Sequence, residues 1–176
     1  MYITFDAKLL AAVAIAQGNE ETRYYLKGVY FADDTAVATD GHMMTVASNG
    51  HNNPGDHIMP VSKKAVTALK SRNSDIVVLD GDTLTVFDRF GEALYMETSK
   101  EIDGTYPDWQ RITVEGGYPC KVALSSKILA RIAKTSEALR KNAPVTITGD
   151  QPENPQHVDY HNKEHDVYSV VMPMRV

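Results

Sequence analysis

Arg23-Tyr-Tyr-Leu-Lys-Gly-Val-Tyr-Phe-Ala-Asp-Asp-Thr-Ala-Val-Ala-Thr-Asp-Gly-His-Met-Met-Thr-Val46 is the stretch whose reading decides the fold. Apolar and β-branched residues dominate it and a turn signal falls at Asp33-Asp34, so it reads as paired antiparallel strands. A second interruption, Asp40-Gly41-His42, sits between apolar flanks, where glycine marks a bulge or a close backbone approach. No nucleophile here has a base beside it. The stretch reads as a binding surface, not a catalytic one.

The pattern extends outward as one unit met three times. Ile3-Thr-Phe-Asp6 leads into an apolar helical run over 7–16, Ile58-Met-Pro-Val-Ser62 into one over 63–70, and Val122-Ala-Leu-Ser-Ser126 into one over 127–134. Each time a short strand ends at Asp6, Ser62 or Ser126, whose side chain caps the first free amides of the helix. Strands follow each helix: 23–31, 35–39 and 42–48; then 75–79, 83–87 and 93–98, with Asp80-Gly81 as a hairpin turn; then 144–148, 157–160 and 167–172. The unit is β-α-β-β-β, and the fold class is α+β with helices on one face of antiparallel sheet. Polar, turn-rich stretches at 49–56, 113–119 and 149–156 punctuate it. The expected division is a complete domain over 1–114, made of units 1–49 and 57–114, and a half domain over 115–176.

The 176 residues are 43% hydrophobic and 23% charged, the composition of a soluble globular chain able to bury a core. No apolar run reaches the roughly 18 residues of a membrane span, and the first residues lack the basic and apolar regions of a signal peptide. Cys120 is alone, which fits a reducing compartment and places the protein in the cytoplasm. The formal charge of −5 hides its distribution. Lys63, Lys64, Lys70 and Arg72 fall in one helical segment; Lys127, Arg131, Lys134, Arg140 and Lys141 fall in another. His157, His161 and His165 share a spacing of four, but their segment is rich in Asn and lies between strand-like runs, so the helical zinc site that spacing needs is rejected. His42 has no Ser or Cys to activate, and no glycine loop of phosphate-cradling type is present.

Three blocks together resemble the bacterial sliding clamp, the beta subunit of DNA polymerase III. They are Arg23-Tyr-Tyr-Leu-Lys-Gly28 with Val37-Ala-Thr-Asp-Gly-His42, then Glu101-Ile-Asp-Gly-Thr-Tyr-Pro-Asp-Trp-Gln-Arg-Ile112, then Val170-Val-Met-Pro-Met-Arg-Val176. By this resemblance the first two units look like the clamp's middle domain and the third like the second half of its last domain. The family's fold is a ring of paired β-α-β-β-β units, with helices lining the hole. It implies no enzymatic activity and no cofactor.

The resemblance also implies a pocket for short hydrophobic peptides of DNA polymerases and repair proteins. From the first block its lining would be Arg23, Leu26, Thr39, Gly41 and His42, with Met44 just beyond it, and from the second Pro107, Arg111 and Ile112. From the third it would be Val170, Met172, Pro173, Met174 and Arg175. Met43 departs from the pattern, since the family has Arg after the Gly-His pair. Flexible methionines and a proline suit varied peptides, and Arg23, Arg111 and Arg175 suit carbonyls or carboxylates. Leu26, Met44 and Val170 have a plain alternative as core residues. Double-stranded DNA would meet Lys63, Lys64, Lys70, Arg72, Lys127, Arg131 and Lys134 through phosphates alone, with Tyr24 and Tyr25 near the rim and able to stack on a single strand.

The chain is therefore expected to be a truncated clamp homologue of phage or prophage type. A lone third unit leaves a sheet edge open, which predicts a homodimer through 115–176 and, from two dimers, a tetrameric ring. Two functions follow from different classes. One is a processivity clamp around DNA; the other is a decoy that never closes and sequesters clamp-binding partners of host replication.

Overall fold

The computed structural model describes residues 2–112, 122–141, 143–161 and 166–174, with only the backbone path for 50–54. Among the described residues three helices lie on two antiparallel sheets, the α+β arrangement expected. β1 (Tyr2–Asp6) leads into α1 (Ala7–Ala14), and a short 3-10 turn (Tyr24–Lys27) precedes β2 (Val29–Thr39) and β3 (Met43–Met59). Then come α2 (Lys63–Leu69), β4 (Ser74–Asp80), β5 (Thr83–Asp88), β6 (Ala93–Thr98) and a 3-10 turn (Trp109–Ile112). α3 (Ser126–Leu139) is followed by β7 (Thr146–Thr148), β8 (Gln156–Asp159) and β9 (Val167–Val171). The sheets run β1-β4-β5-β6 and β2-β3-β9-β8-β7.

The units interlock rather than stand apart. β1 of the first pairs with β4 of the second, Ile3 opposite Leu79, and β9 of the third pairs with β3 of the first, Met44 opposite Val170. α1 is built of Ala, Leu and Val and is buried at every position but Lys8, as a helix between neighbours must be. It packs on both α2 and α3. α3 is amphipathic: Ile128, Ile132, Thr135 and Ser136 face inward at helical spacing. Asp6 and Ser62 cap α1 and α2 as expected, accepting from Leu9 N at 2.8 Å and Ala65 N at 3.0 Å. The third cap is Ser125, not Ser126, accepting from Ile128 N at 3.2 Å.

The two interruptions of the opening stretch exchange roles. Asp33-Asp34 is an irregularity inside one continuous strand, with Asp33 at φ +50° and the register slipping on both sides of it. Asp40-Gly41-His42 is the hairpin turn, with Thr39 opposite Met44. The reason is local hydrogen bonding. Asp40 Oδ1 accepts from the amides of both His42 and Met43 at 3.0 Å, the Thr39 hydroxyl donates to Met43 O at 2.9 Å, and Gly41 supplies φ +85°. Residues 24–27 turn instead of extending, because Leu26 N bonds back to Arg23 O at 2.9 Å. The polar stretch 49–56 is carried within β3, where several residues bulge against few on β2. Residues 122–125 form no strand, although Ala123 O accepts from Met174 N at 2.7 Å. The 113–119 linker, the 114/115 boundary and Cys120 lie outside the described residues.

Two cores result. The larger lies between the helices and both sheets and holds Phe5, Phe31, Leu9, Leu10, Met43 and Met59. The smaller lies on the opposite face of the second sheet. That division follows from strand alternation: Met43 and Val171 face the helices while their neighbours Met44 and Val170 face away. No helix among the described residues is long and apolar enough to cross a membrane.

Candidate functional site

The smaller core is where the sequence blocks meet. Leu26 and Val37 come from the first, with Met44 just beyond it, Tyr106 from the second, and Val170 from the third, with Tyr30, Ile102, Trp109 and Tyr168 packed around them. The second block is a strap over the sheet. Ile102 N bonds Ile58 O at 2.8 Å, and the Tyr106 ring stacks on Tyr30 with centroids 4.8 Å apart. Burial pushes the Tyr106 phenol well above its usual range. Gly104 lies against Tyr24 and Tyr25, which meet edge-on at 5.7 Å.

At the edge of this core the Asp40 turn meets the C-terminal segment, Met172 N donating to His42 O at 3.0 Å. The Arg23 guanidinium lies against Gly41, so a Cβ there would have to push that flexible side chain aside, and it is the φ of +85° that favours glycine at the turn. In the C-terminal segment Met172 and Met174 stay 44% and 55% exposed, two flexible apolar side chains left in solvent.

The fourteen residues expected to line a peptide pocket thus divide in two. Leu26, Thr39, Met44 and Val170 are buried, so their direct role is packing beneath the surface. Arg23, Gly41, His42, Pro107, Arg111, Ile112, Met172, Pro173 and Met174 reach solvent. Arg23 pairs with Glu20 at 2.7 Å, and Arg111 pairs with Asp108 at 2.7 Å. Arg175 lies outside the described residues.

The cations expected to meet DNA also divide. Lys63, Lys64, Lys70, Arg72, Lys127 and Lys134 are exposed, and Tyr24 is 49% exposed. Arg131 needs correction: its guanidinium is turned inward, ion-paired with Asp40 and donating to Ile15 O at 3.3 Å. Burial pushes the Asp40 carboxyl up, but the amides of His42 and Met43 and the Arg131 charge outweigh it and hold the carboxyl below its usual range. A cleft of about 540 Å³ brings Lys63 of α2 and Lys134 of α3 together across the end of α1, with Lys27 beside them. A second, of about 350 Å³, joins Arg23, Leu26 and His42 to Lys127 and Lys134. Arg23, Leu26 and His42, expected to meet a peptide, thus line one cleft with Lys127 and Lys134, expected to meet DNA.

Of the rejected histidine triplet, His157 stacks on Tyr168 at 5.1 Å and His161 Nε2 lies 2.6 Å from Thr146 Oγ1, while His165 is outside the described residues. The strap anchors Ile102, Tyr106 and Trp109 and the Asp40–Arg131 pair were not singled out from sequence. The anchors lay inside the second block as quoted, with an aromatic at 106 and another at 109 as the available signal; the ion pair had none.

This is a helix-backed pair of antiparallel sheets with a strapped apolar rim and a basic helix layer, the architecture of DNA clamps. A sequence model of the DNA polymerase III beta subunit, central domain, matches residues 5–108, and the chain belongs to that family. It is 26% identical over 145 residues to the beta sliding clamp of Proteus mirabilis, covering 77% of this chain and 38% of that protein. With the beta sliding clamp of Escherichia coli K12 it shares 30% over 118 residues, covering 60% of this chain and 30% of that one. The matched stretch is thus well under half the length of these curated relatives. In fold it is similar to the sliding clamp of Bartonella birtlesii solved bound to griselimycin, at TM-score 0.70 and 21% identity, covering 99% of this chain and 66% of that one. A Pseudomonas aeruginosa sliding clamp superposes at TM-score 0.69 and 18% identity, covering 100% and 67%.

Proposed function

We propose that this protein is a non-enzymatic, clamp-type tether of the cytoplasm. Its rim of Arg23, Gly41, His42, Met172, Pro173 and Met174, with Pro107, Arg111 and Ile112 on the strap beyond Tyr106, receives a short hydrophobic peptide from a DNA polymerase or repair protein. The helix layer holds duplex DNA loosely by its phosphates through Lys63, Lys64, Lys127 and Lys134. The observation that carries the reading is the convergence of three distant blocks on one buried cluster whose edge leaves two methionines in water. Methionine adapts to varied apolar side chains, as a receptor for several partners requires. The basic tract beside it suits non-specific, salt-sensitive phosphate contact.

Self-association belongs to the same reading. β7 is a three-residue strand at the edge of the second sheet, and an open edge pairs readily with its own copy about a two-fold axis. A homodimer through 115–176, and a ring from two dimers, would let the helix layer surround DNA. Two measurements decide. A fluorescent peptide carrying Gln-Leu-Phe is expected to bind, and protein is expected to stay on circular DNA but leave the same DNA once linearised. Peptide binding with equal retention on both forms would instead identify a decoy that captures partners without encircling DNA.

A further inference from the structure

A separate cleft of about 530 Å³ opens at the opposite end of α1, where that helix starts, just beyond the end of α2, and where β5 turns into β6. Lys8, Arg72, Asp75, Asp88, Arg89 and Phe90 line it. The turn is closed by Asp88, whose Oδ1 accepts from Phe90 N at 2.8 Å and Glu92 N at 2.9 Å, and Gly91 completes it at φ +83°. This fixed turn holds the Phe90 ring 79% exposed, the most exposed large hydrophobic among the described residues. The Arg89 guanidinium sits over the ring, 4.7 Å from its centroid. Lys8, Arg72 and Arg89 enter no ion pair among the described residues and outnumber the two carboxylates of the lining, Asp75 and the turn-held Asp88.

A phenyl ring presented by a closed turn, capped by a guanidinium and flanked by unpaired cations, combines a stacking platform with phosphate contacts. An apolar peptide would use the ring but face a charged lining. A phosphopeptide would use the cations and leave the ring idle. A base joined to a phosphate uses both. We propose that this cleft binds single-stranded DNA, one base stacking on Phe90 and Arg89 and the adjoining phosphates lying on Lys8 and Arg72. The contact is tolerant of sequence, because every base offers a flat face.

The test uses fluorescein-labelled oligothymidylate and anisotropy on the full chain. Phe90→Ala is expected to weaken binding about five- to a hundredfold, and Arg72→Ala to reduce the slope of log affinity against log salt by about 0.7. In Phe90→Trp the new indole is expected to be quenched by the oligonucleotide. Phe90 is exposed, so thermal unfolding should not move, and peptide binding at the methionine rim should be unchanged; failure here is thereby separable from failure of the peptide reading. Unchanged affinity in Phe90→Ala overturns the proposal. So does binding that is abolished by Lys63→Ala with Lys134→Ala while the indole stays unquenched, or binding lost in Arg72→Ala but kept in Phe90→Ala.

Discussion

Arg131 of α3 and Asp40 of the β2–β3 turn form an ion pair that spans 91 residues of sequence and fastens the third unit to the first. Asp40 also holds the turn, so one carboxylate shapes the loop and ties it to the helix. Both side chains are largely withdrawn from water, Arg131 at 14% and Asp40 at 20% exposure. Removing one charge therefore strands the other.

Asp40→Asn is expected to destabilise the fold by about 3 kcal/mol near neutral pH. The sign with pH follows from the lowered carboxyl. A folded pKa below the ordinary 3.8 means that the contribution is present above that value and is lost as pH falls through the folded pKa. Denaturant melts at a series of pH values should show the wild-type advantage over Asp40→Asn disappearing on the acid side. A gap that stays constant to low pH would show that the ion pair contributes nothing.

Surface and support at the rim can be separated by substitution. Met172→Ala and Met174→Ala are each expected to weaken Gln-Leu-Phe peptide binding about tenfold, the effect of a contact residue worth about 1–2 kcal/mol. Stability should shift by no more than about 0.5 kcal/mol, since both side chains are exposed. Leu26→Ala and Met44→Ala, at 3% and 1% exposure, should instead cost about 2–5 kcal/mol of folding stability. Calorimetric titration beside thermal melts distinguishes the two patterns.

Local chemistry explains which parts of this molecule can be read from its sequence. Asp80-Gly81 is legible as a hairpin because glycine there takes φ +53° between alternating strands, a signal confined to adjacent residues. Asp33-Asp34 and Asp40-Gly41 have similar compositions, and what separates them is the pair of amides that reaches the Asp40 carboxylate. The caps Asp6 and Ser62 are equally legible, while Ser125 and Ser126 are adjacent and only the helix geometry selects one. Lys127, Arg131 and Lys134 share a helical spacing that suggests one basic stripe. The tertiary position of Asp40 takes Arg131 out of it. The methionines at 172 and 174 were visible as an apolar surface, but burial of Leu26, Thr39, Met44 and Val170 depends on the strap laid over them from residues 102–109.

That strap yields its own prediction. Tyr106→Ala removes the ring stacked on Tyr30 and should cost about 3–5 kcal/mol, as loss of a buried aromatic does. Tyr106→Phe keeps the stack and loses the hydroxyl's contacts, a long one 3.5 Å from Val37 O and one with the Thr39 backbone, so it should cost about 1 kcal/mol. Hydrogen exchange should show Ile102, whose amide bonds Ile58 O, losing protection in the alanine variant but not in phenylalanine. Equal loss in both would place the strap's anchor elsewhere.

The helix layer gives the last. If duplex DNA rests on phosphates alone, each lysine in contact releases counterions, and the slope of log affinity against log salt should fall by about 0.9 for each one removed. Lys63→Ala, Lys127→Ala and Lys134→Ala are expected to do this equally on any duplex sequence, because no base edge is read. Arg131→Ala should behave differently. Its charge is already neutralised by Asp40, so the slope should hold while thermal stability drops. A slope that changes with Arg131 as with the lysines would mean that DNA draws this guanidinium away from the turn, and that duplex binding loosens the rim where the peptide is proposed to sit.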